Sequence, residues 1–382
     1  MKGVLVIEGH VQGLSNIRSL GEQGIPVWVL DKTKCLAQYS KYCKKFFICP
    51  DFSSEEFVPF LIELANKNDL KNWLLLPSND HAVHSISKNR EELSKYFRLV
   101  TDNLETINRI YNKVEFLNLA IKLQVPVPKF EILSKVPEVL NLDFPLLTKG
   151  NNGLSFHRKI KKKVVLSKNS FELKENLERI GKEYPLLQTF TQELIPFNIN
   201  NRTISFTSFS VSGKIKTYWI GQKLREHPLR FGTAVLAESI EDPGLFGFVE
   251  KLIRELNYTG ISEIEFLKDD RDSQFKLIEM NARSWLWVGL AKECGINYAK
   301  IAYDFSQGNE FSYPKNYQKN VIWYNPVTNF YFTCIGLLSG QIKWRELTQN
   351  KGKKRVNALF LKDDWKPFFA YFSLLFKFIK FR

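Results

Sequence analysis

Hydrophobic residues in the first hundred positions fall in short continuous runs separated by segments of helical periodicity. The runs "GVLVIEG" and "IPVWVLD" predict buried parallel strands, and "LSNIRSLGEQG" between them predicts a helix that closes at Gly24. The same alternation returns in a helical "SSEEFVPFLIELANKN", a strand "WLLLPSND" and a helical "SKNREELSKYF". Strands that alternate with helices indicate a doubly wound α/β domain, which we place at residues 1–105.

The pattern changes after this first domain. The segment "NKVEFLNLAIKLQVPVPKF" predicts an amphipathic helix with a proline-rich exit, and strand-like runs then dominate as far as residue 283. Antiparallel strands around helices predict an α+β second domain over residues 106–312. A C-terminal extension, residues 313–382, combines scattered aromatic residues, the basic stretch "NKGKKR" and a terminal apolar run.

Composition narrows the class of protein. The 382-residue chain is 44% hydrophobic and 14% aromatic, as expected for a globular protein, and has a formal net charge of +15. A basic surface attracts nucleic acid, anionic lipid or acidic metabolites, but lysines spread over solvated faces explain the charge equally well. Five cysteines without CxxC spacing predict reduced thiols in a cytoplasmic protein. No apolar stretch is long enough for a conventional membrane span.

Three weaker signals lie in the first domain. The turn "GHVQGLS" between Gly9 and Gly13 lacks the GxGxxG glycines, which argues against nicotinamide or flavin binding. The tripeptide "SND", residues 78–80, follows a strand at the edge where open α/β sheets bind ligands, although a helix cap explains it equally well. His81 and His84 share a helical face, and a capped surface helix is favoured over a metal site.

The clearest chemical constellation lies in "SEIEFLKDDRDSQFKLIEMNARSWLW". Residues two apart on a strand share a face, so Glu279, Asn281 and Arg283 project together, as do Glu263 and Glu265. The turn-like "LKDDRDSQF" predicts a hairpin that brings the two faces together. Two carboxylates and an amide oxygen suit Mg²⁺, whereas the competing interpretation is a solvated polar face with an ordinary Glu–Arg pair. Apolar flanking sequence favours the metal site, because unpaired charges there are unfavourable.

These residues resemble the metal-binding signature of the ATP-grasp superfamily, in its carboxylate–amine ligase branch. "GISEIEFLKD" followed by "FKLIEMNARS" is especially similar to the ATP-grasp domain of carbamoyl-phosphate synthetase. The resemblance implies that Glu265, Glu279 and Asn281 hold Mg²⁺ or Mn²⁺, and that Arg283 binds phosphate or an acyl-phosphate intermediate. It also implies a preATP-grasp α/β domain ahead of an α+β ATP-grasp domain, followed by the basic aromatic tail.

Other segments resemble the family in the same order along the chain. "YNKVEFLNLAIKLQVPVPKF" and "FPLLTKG" are similar to segments that contact the nucleotide, which implies phosphate-binding roles for Lys113 and Lys149. "LLQTFTQELIPFN" is similar to the hinge along adenine, which we map to Gln192, Glu193, Leu194 and Ile195. "GQKLREHPLRFGTA" implies that Lys223 and Arg225 lie near phosphate or the substrate carboxylate.

The implied activity is ATP-dependent formation of an amide or peptide-like bond through an acyl phosphate, with small carboxylate and amine substrates. The alternative is a catalytically reduced nucleotide-binding scaffold or regulator. Binding of nucleic acid is not expected, since the chain has no zinc spacing, helix-turn-helix signal or RNA motif. Formation of a homodimer is compatible with the sequence but is not predicted by any motif in it.

Two interpretations remain open near the C-terminal ends of the domains. Trp285 and Trp287 continue the face of the hairpin residues, and core packing is favoured over a role as the floor of an acceptor pocket. The tail "FFAYFSLLFKFIKFR" interleaves aromatic residues with Lys377, Lys380 and Arg382. It is interpreted either as a helix packed on the body or as peripheral contact with the inner face of the membrane.

Overall fold

The computed structural model describes residues 1–133, 141–196, 202–227, 232–340, 342, 344 and 352–380, and the side chains of these ranges up to residue 374. Within them, sixteen strands form three sheets. Helices lie between and beside these strands. None of the helices in the described residues is long and apolar enough to cross a membrane.

The first sheet has five parallel strands in the order β3-β2-β1-β4-β5. Its elements are β1 (Val4–Ile7), α1 (Val11–Gly21), β2 (Val27–Asp31), β3 (Cys43–Ile48), α2 (Phe57–Asn68), β4 (Trp73–Pro77), α3 (Asp80–Lys88), α4 (Arg90–Leu93) and β5 (Phe97–Leu99). Strands β1 and β2 are wholly buried, which explains their continuous apolar runs. The polar residues that follow β1 and β4 meet at the carboxyl edge of this sheet.

The second sheet has four strands in the order β6-β9-β7-β8, and its pairs are antiparallel. The elements from the domain junction onward are α5 (Leu104–Tyr111), α6 (Lys113–Lys122), β6 (Phe130–Glu131), β7 (Leu146–Gly150), α7 (Gly153–Ile160), β8 (Val165–Ser167), α8 (Ser170–Glu183) and β9 (Thr189–Glu193). Asn112, the N-cap residue of α6, accepts a hydrogen bond from the Glu115 amide and so fixes where that helix begins.

The third sheet has seven strands in the order β14-β13-β10-β11-β12-β15-β16, antiparallel except for the last pair. Its strands are β10 (Ile204–Val211), β11 (Lys214–His227), β12 (Thr233–Ser239), β13 (Gly260–Asp269), β14 (Gln274–Asn281), β15 (Ile322–Tyr324) and β16 (Arg355–Asn357). The accompanying helices are α9 (Phe246–Glu255), α10 (Val288–Glu293), α11 (Tyr298–Gln307), α12 (Pro326–Leu338) and α13 (Lys366–Lys380). The C-terminal segment thus contributes two strands to the largest sheet.

One hydrophobic core joins the first domain to the third sheet. Leu14 and Ile17 of α1 pack in the same cluster as Trp219, Trp285 and the C-terminal Leu374. A buried ion pair reinforces this contact, since Arg18 Nε lies 2.8 Å from Asp364 Oδ2. The beginning and end of the chain therefore stabilise each other.

Helix α13 packs on the body of the protein through its first half, where Tyr371 and Leu374 are buried. Phe369 and Phe372 on the same helix are exposed. The side chains of Lys377, Lys380 and Arg382, on which the membrane interpretation depends, lie outside the described residues.

Candidate active site

A cleft of about 1060 Å³ opens between the second and third sheets and reaches the carboxyl edge of the first. Gln12, Asp80 and His81 line it from the first domain. The sequence-predicted residues that line it are Lys113, Lys149, Gln192, Leu194, Ile195, Lys223, Arg225, Glu265, Glu279, Asn281 and Arg283. Side chains from nearly the whole chain thus converge on one cavity.

The predicted hairpin is present as β13 and β14. Its register places Glu265 directly opposite Glu279 and Glu263 opposite Asn281. The register shifts by one residue immediately after Glu265. Because cross-strand partners lie about 5 Å apart, the two carboxylates that the sequence predicts to share a metal ion are neighbours in the fold.

Lys113 neutralises one of these carboxylates. Its Nζ lies 2.5 Å from Glu279 Oε2, and both side chains are mostly buried. Burial alone lowers the pKa of Lys113, but the charge and hydrogen bond of Glu279 outweigh it and raise the pKa overall. The charge of Lys113 in turn holds the pKa of Glu279 well below its usual range. The pair is therefore ionised at neutral pH.

Lys223 neutralises the opposite carboxylate of the hairpin, Glu265. Its Nζ lies 2.8 Å from Glu265 Oε1 and 3.7 Å from Glu226. Burial opposes the charge of Lys223, but the nearby carboxylates prevail and raise its pKa. Each carboxylate of the hairpin pair thus has its own lysine.

Lys149 has no carboxylate within ion-pair distance among the described residues. It lies on β7, and its Nζ donates a hydrogen bond to Gln192 Oε1 at 3.2 Å. Burial and then the charge of Lys113 lower the pKa of Lys149 to about 8. An anion that enters the cleft would therefore stabilise the charged form of this partly buried lysine.

Glu263 is buried on the same face of the hairpin as Glu265 and orients Asn281. Its Oε2 accepts from Asn281 Nδ2 at 3.1 Å, and its Oε1 accepts from Ser205 Oγ at 2.8 Å. Burial and then the charge of Glu265 raise the pKa of Glu263 to about 7. Because the Asn281 amide nitrogen is turned toward Glu263, its Oδ1 faces the other way.

Arg283 is engaged by the first domain. Its Nε and Nη2 donate to the two carboxylate oxygens of Asp80 at 2.8 and 2.9 Å. Asp80 begins helix α3, whose N-cap residue Asn79 accepts from the His81 amide. Within the "SND" tripeptide, Asn79 therefore caps a helix and Asp80 lines the cleft, where the ion pair fixes the guanidinium.

The predicted hinge residues, 192–195, lie partly in the cleft and partly in the protein interior. Gln192, Leu194 and Ile195 line the cleft, whereas the Glu193 carboxylate accepts from Arg271 Nη1 at 3.0 Å.

Arg225 lies at the far side of the cleft. It donates to Asn329 Oδ1 at 2.8 Å and to Thr333 Oγ1 of helix α12. The C-terminal segment thus helps to build the cleft as well as the third sheet.

The hairpin residues fit a magnesium ion as a partial ligand set. The described residues contain no cluster of three or more His, Cys, Asp or Glu side chains arranged to hold a metal ion. Glu265, Glu279 and Asn281 instead offer two carboxylates and one amide oxygen. Mg²⁺ characteristically takes one or two carboxylates and completes its shell with water and substrate phosphates.

Sequence reasoning assigned no role to two residues of this site, Glu263 and Gln12, and left Asp80 between a ligand-binding edge and a helix cap. Glu263 was detectable from the same two-residue alternation as Glu265. Gln12 carried no signal, because a glutamine in a helix is ordinarily solvated. Its hydrogen-bond partners, Glu8 and the Ser78 carbonyl, follow two separate strands of the first sheet, which no local pattern around Gln12 predicts.

No protein-family model matches the chain. A D-aspartate ligase from Enterococcus faecium (strain Aus0004) is 23% identical over 270 residues, covering 66% of this chain and 64% of that protein. The chain therefore spans less than two-thirds of that relative's length.

Several solved structures share the fold. L-amino acid ligase from Bacillus licheniformis superposes with a TM-score of 0.61 at 16% identity, covering 80% of this chain and 74% of that one. N5-carboxyaminoimidazole synthetase from Staphylococcus aureus gives 0.64 at 16% identity, with coverage of 84% and 81%. Biotin carboxylase from Campylobacter jejuni, solved as a β-γ-ATP complex, gives 0.66 at 16% identity, with coverage of 84% and 74%.

These neighbours are ATP-grasp ligases, and the chain has their fold. The resemblance that the sequence motifs indicate is therefore confirmed at the level of the fold.

Proposed function

We propose that this chain is an ATP-dependent ligase that joins a carboxylate to an amine through an acyl phosphate. One observation carries the proposal: three lysines and the paired carboxylates Glu265 and Glu279 line a single cleft of the ATP-grasp fold. The similarity to a D-aspartate ligase, and the fold shared with an L-amino acid ligase, support the same chemistry.

The proposal assigns the parts of the chain to roles. Residues 1–105, with their five-stranded parallel sheet, are the preATP-grasp domain. Residues 106–312 form the ATP-grasp domain, and residues 313–382 extend it through β15, β16 and α12. In this assignment ATP lies between the second and third sheets, with adenine along Gln192–Ile195.

The chain's cations would offset the repulsion between two anions. Lys113 and Lys149 neutralise the nucleotide phosphates, while Lys223 and Arg225 hold phosphate or the substrate carboxylate near the γ-phosphate. Glu265, Glu279 and Asn281 would hold Mg²⁺ or Mn²⁺, which supplies charge neutralisation and orientation of the phosphates when bound.

The reaction then has two balanced steps. A carboxylate oxygen takes the γ-phosphoryl group from ATP, which releases ADP and leaves an acyl phosphate. The amine attacks the acyl carbon and loses a proton, and phosphate departs with the electrons of the broken C–O bond. Arg283 stabilises the oxyanion of the tetrahedral intermediate, a type of contact whose loss lowers rates by about 10²–10³-fold.

A nucleotide-binding scaffold without catalysis is the alternative function. The buried ion pairs of Lys113 and Lys223 disfavour it, because taking charges out of water is unfavourable and a scaffold gains nothing from them. A scaffold would bind ATP but would release no ADP with any acid and amine.

Steady-state release of ADP and phosphate tests the proposal. We expect release that depends on both a carboxylate and an amine when mixtures of amino acids and sugar acids are supplied with MgATP. Glu279→Ala and Asn281→Ala are expected to abolish turnover while circular dichroism shows an intact fold. Glu63→Ala, an exposed change on α2 outside the cleft, is the matched control. Normal turnover in either cleft variant contradicts the metal assignment.

Membrane contact and dimerisation remain predictions. Because Tyr371 and Leu374 belong to the core, deletion of residues 366–382 would disturb folding as well as any lipid contact. Reversing charge in Lys377→Glu/Lys380→Glu is the cleaner test, read out by sedimentation with phosphatidylserine vesicles. Equal sedimentation of wild type and variant contradicts the membrane prediction, and light scattering measures the oligomeric state.

A further inference from the structure

Five nitrogen-bearing side chains line the cleft near the first domain, in addition to the three lysines around the hairpin. They are Lys32, His81, His157, Arg158 and Lys163. His81 is half-buried and the other four are exposed, and the Lys32 side chain retains 45% of its accessible surface. A solute in the cleft can therefore reach them. The proposed ligase mechanism gives none of them a role.

The first-domain members stand at the carboxyl edge of the five-stranded parallel sheet. Lys32 follows β2, Asp51 lies in the loop after β3, and His81 lies in the first turn of α3, after β4. The strand order runs outward from β1 in both directions. Open α/β sheets bind ligands outside the carboxyl ends of their strands at such a switch point. These side chains therefore lie where this architecture collects ligand-binding groups.

Helix α7 faces this edge from the second sheet. Arg158 Nη2 donates to Ser53 Oγ at 3.3 Å, in the loop after β3. Burial and then the charge of Arg158 lower the pKa of His81, so the guanidinium lies near the imidazole and His81 is neutral at pH 7. A neutral imidazole can donate one hydrogen bond. Arg158 thus lies beside two separate loops of the first domain.

Positive charge exceeds negative charge in this part of the cleft. The Asp51 carboxylate is already engaged, because its Oδ2 accepts from Lys32 Nζ at 2.9 Å and its Oδ1 accepts from Ser53 Oγ at 2.6 Å. The hydrogen bonds of Ser53, followed by that of Lys32, hold the pKa of Asp51 well below its usual range. Among the described residues, neither Arg158 nor Lys163 lies within ion-pair distance of a carboxylate. The surplus of positive charge favours an anion here.

The Asp80–Arg283 ion pair lies between these cations and the hairpin lysines. The charge of Asp80 acts to raise the pKa of both Lys113 and His81. Besides burial, the charges that shift the pKa of Lys149 all belong to α6 and the hairpin. The two groups of cations therefore occupy different parts of the cleft, and a nucleotide held by the hairpin lysines leaves the first-domain group for another anion.

The available donors match a phosphate group. Arginine offers parallel N–H donors in a fixed fork, lysine offers a point charge with three donors, and neutral histidine offers one donor. In this chain they belong to three separate elements, so they approach a ligand from different sides. Three oxygens of a tetrahedral phosphate ester can accept from all of them, whereas a carboxylate has two oxygens in one plane.

We propose that Lys32, His81 and Arg158 bind a phosphate group that one of the two substrates carries, remote from the atoms that react. The inference rests on the proposed ligase function and deepens it, because it makes one substrate a phosphate ester and names the residues that select it. Free inorganic phosphate has the same chemistry, so binding and turnover are both measured.

Two variants that remove charge are compared with matched controls. Lys32→Met and Arg158→Met each remove one cation of the site. Lys34→Met removes an exposed lysine two positions further along, and Arg179→Met removes an exposed arginine on α8, and neither residue lines the cleft. Ser53→Ala removes the hydrogen bond from Arg158 without changing any charge.

Binding of methyl phosphate and of acetate is measured by calorimetry on the full chain, saturated with Mg²⁺ and a non-hydrolysable ATP analogue. We expect wild type to bind methyl phosphate about tenfold more tightly than acetate. Lys32→Met and Arg158→Met should each weaken that binding about tenfold, as for loss of a charged hydrogen bond. The two control variants and Ser53→Ala should bind methyl phosphate as wild type does.

Affinity for the ATP analogue should be equal in all six proteins. The proposal is overturned if methyl phosphate does not bind, or if the controls weaken its binding as much as the site variants do. It is also overturned if Lys32→Met and Arg158→Met weaken the ATP analogue as much as methyl phosphate, because the residues then belong to the nucleotide site.

A variant of opposite sign tests the electrostatic argument. Asparagine in Asp51→Asn still accepts from Ser53 but carries no charge, so methyl phosphate should bind about fivefold more tightly. Unchanged or weaker binding contradicts an anion site beside Asp51.

Turnover distinguishes a substrate phosphate from free phosphate. Release of ADP is measured with gluconate against 6-phosphogluconate and with serine against phosphoserine, each with a range of partner acids and amines. We expect the lower KM for a phosphorylated member, and Lys32→Met and Arg158→Met should raise that KM alone. Equal KM values within each pair identify a site for free phosphate and overturn the substrate assignment. Failure of the ligase proposal shows separately, as the absence of ADP release in proteins that still bind methyl phosphate.

Discussion

Asp80 and Arg283 lie 203 positions apart in the sequence and form a two-point ion pair, with nitrogen–oxygen distances of 2.8 and 2.9 Å. The pair joins the first domain to the end of strand β14. Both side chains are largely buried, so each charge depends on the other to compensate for its lost hydration.

Removing one partner should therefore destabilise the protein. We expect Asp80→Asn to lower the free energy of unfolding in urea by roughly 3 kcal/mol, because Arg283 keeps a buried charge without its counter-ion. The double variant Asp80→Asn/Arg283→Met should recover much of that loss. If the two single changes add in the double variant, the residues are not coupled.

The affinity for nucleotide should depend on pH through Lys149. With its pKa at about 8, Lys149 is charged at pH 6.5 and increasingly neutral above pH 8, although Glu279 and Glu265 partly oppose this. Bound phosphate favours the charged form, so affinity for a non-hydrolysable ATP analogue should be flat below pH 7 and fall above pH 8. The fall is at most about tenfold per pH unit for one proton.

Lys149→Arg supplies the control, because arginine remains charged throughout this range. Fluorescence titration from pH 6.5 to 9.5 should give a flatter profile for the variant than for wild type. Parallel profiles for the two proteins contradict the assignment of the pH dependence to Lys149.

Glu263 should act on the metal through Asn281. We expect Glu263→Ala to weaken the apparent affinity for Mg²⁺ about 10–100-fold, because residues that orient metal ligands typically have effects of this size. Excess Mg²⁺ should restore much of the turnover. Ser205→Ala, which removes only the second hydrogen bond to Glu263, should have a smaller effect. A loss of turnover that Mg²⁺ does not rescue contradicts the positioning role.

Gly221 lies against the tryptophans beneath the cleft. A Cβ atom there would come within 2.3 Å of Trp219 and 2.5 Å of Trp287. We expect Gly221→Ala to lower the free energy of unfolding by about 1–3 kcal/mol through overpacking. Gly247, on α9, has open space around the same position, so Gly247→Ala should leave stability unchanged or raise it by up to about 1 kcal/mol. Thermal melts compare the two variants.

Neighbouring aspartates provide a test of the C-terminal contact. Asp364 pairs with buried Arg18, whereas Asp363 pairs with Lys41 at the exposed surface. Asp364→Ala should lower the free energy of unfolding by roughly 3–5 kcal/mol. Asp363→Ala should have no measurable effect, because solvent screens exposed pairs. Equal melting temperatures for the two variants would rule out a structural role for the Arg18 contact.

Short-range patterns predicted the β13–β14 hairpin, because a two-residue period and a turn-like connection determine which side chains face each other. Hence the opposition of Glu265 and Glu279 was predictable. The lysine partners of these two carboxylates were not predictable, because Lys113 and Lys223 reach them only through the packing of separate elements. The strands β15 and β16 escaped prediction for another reason: three residues are too few to show alternation.

For Trp285, the sequence posed a choice between packing in the core and lining a pocket, and the structure shows that the two are not exclusive. The sequence favoured core packing, and the ring is indeed packed among Trp219 and Tyr298. The same residue also lines the cleft, and its Nε1 has no hydrogen-bond partner among the residues that the structure describes. Only the surroundings of single atoms, which no sequence pattern encodes, show that one side chain has both environments.

The hydrogen bonds between Arg18 and the C-terminal segment have a consequence for biosynthesis. The structure gives the Arg18 side chain hydrogen bonds to the Leu359 carbonyl and to the carboxylate and carbonyl of Asp364. During translation Arg18 emerges 341 residues before Leu359 and 346 residues before Asp364. The first sheet can form its strands as it leaves the ribosome, but α1 cannot bury its guanidinium with these partners until residue 364 has been made. The last stabilising contacts of α1 are thereby deferred until every strand of the third sheet has been synthesised.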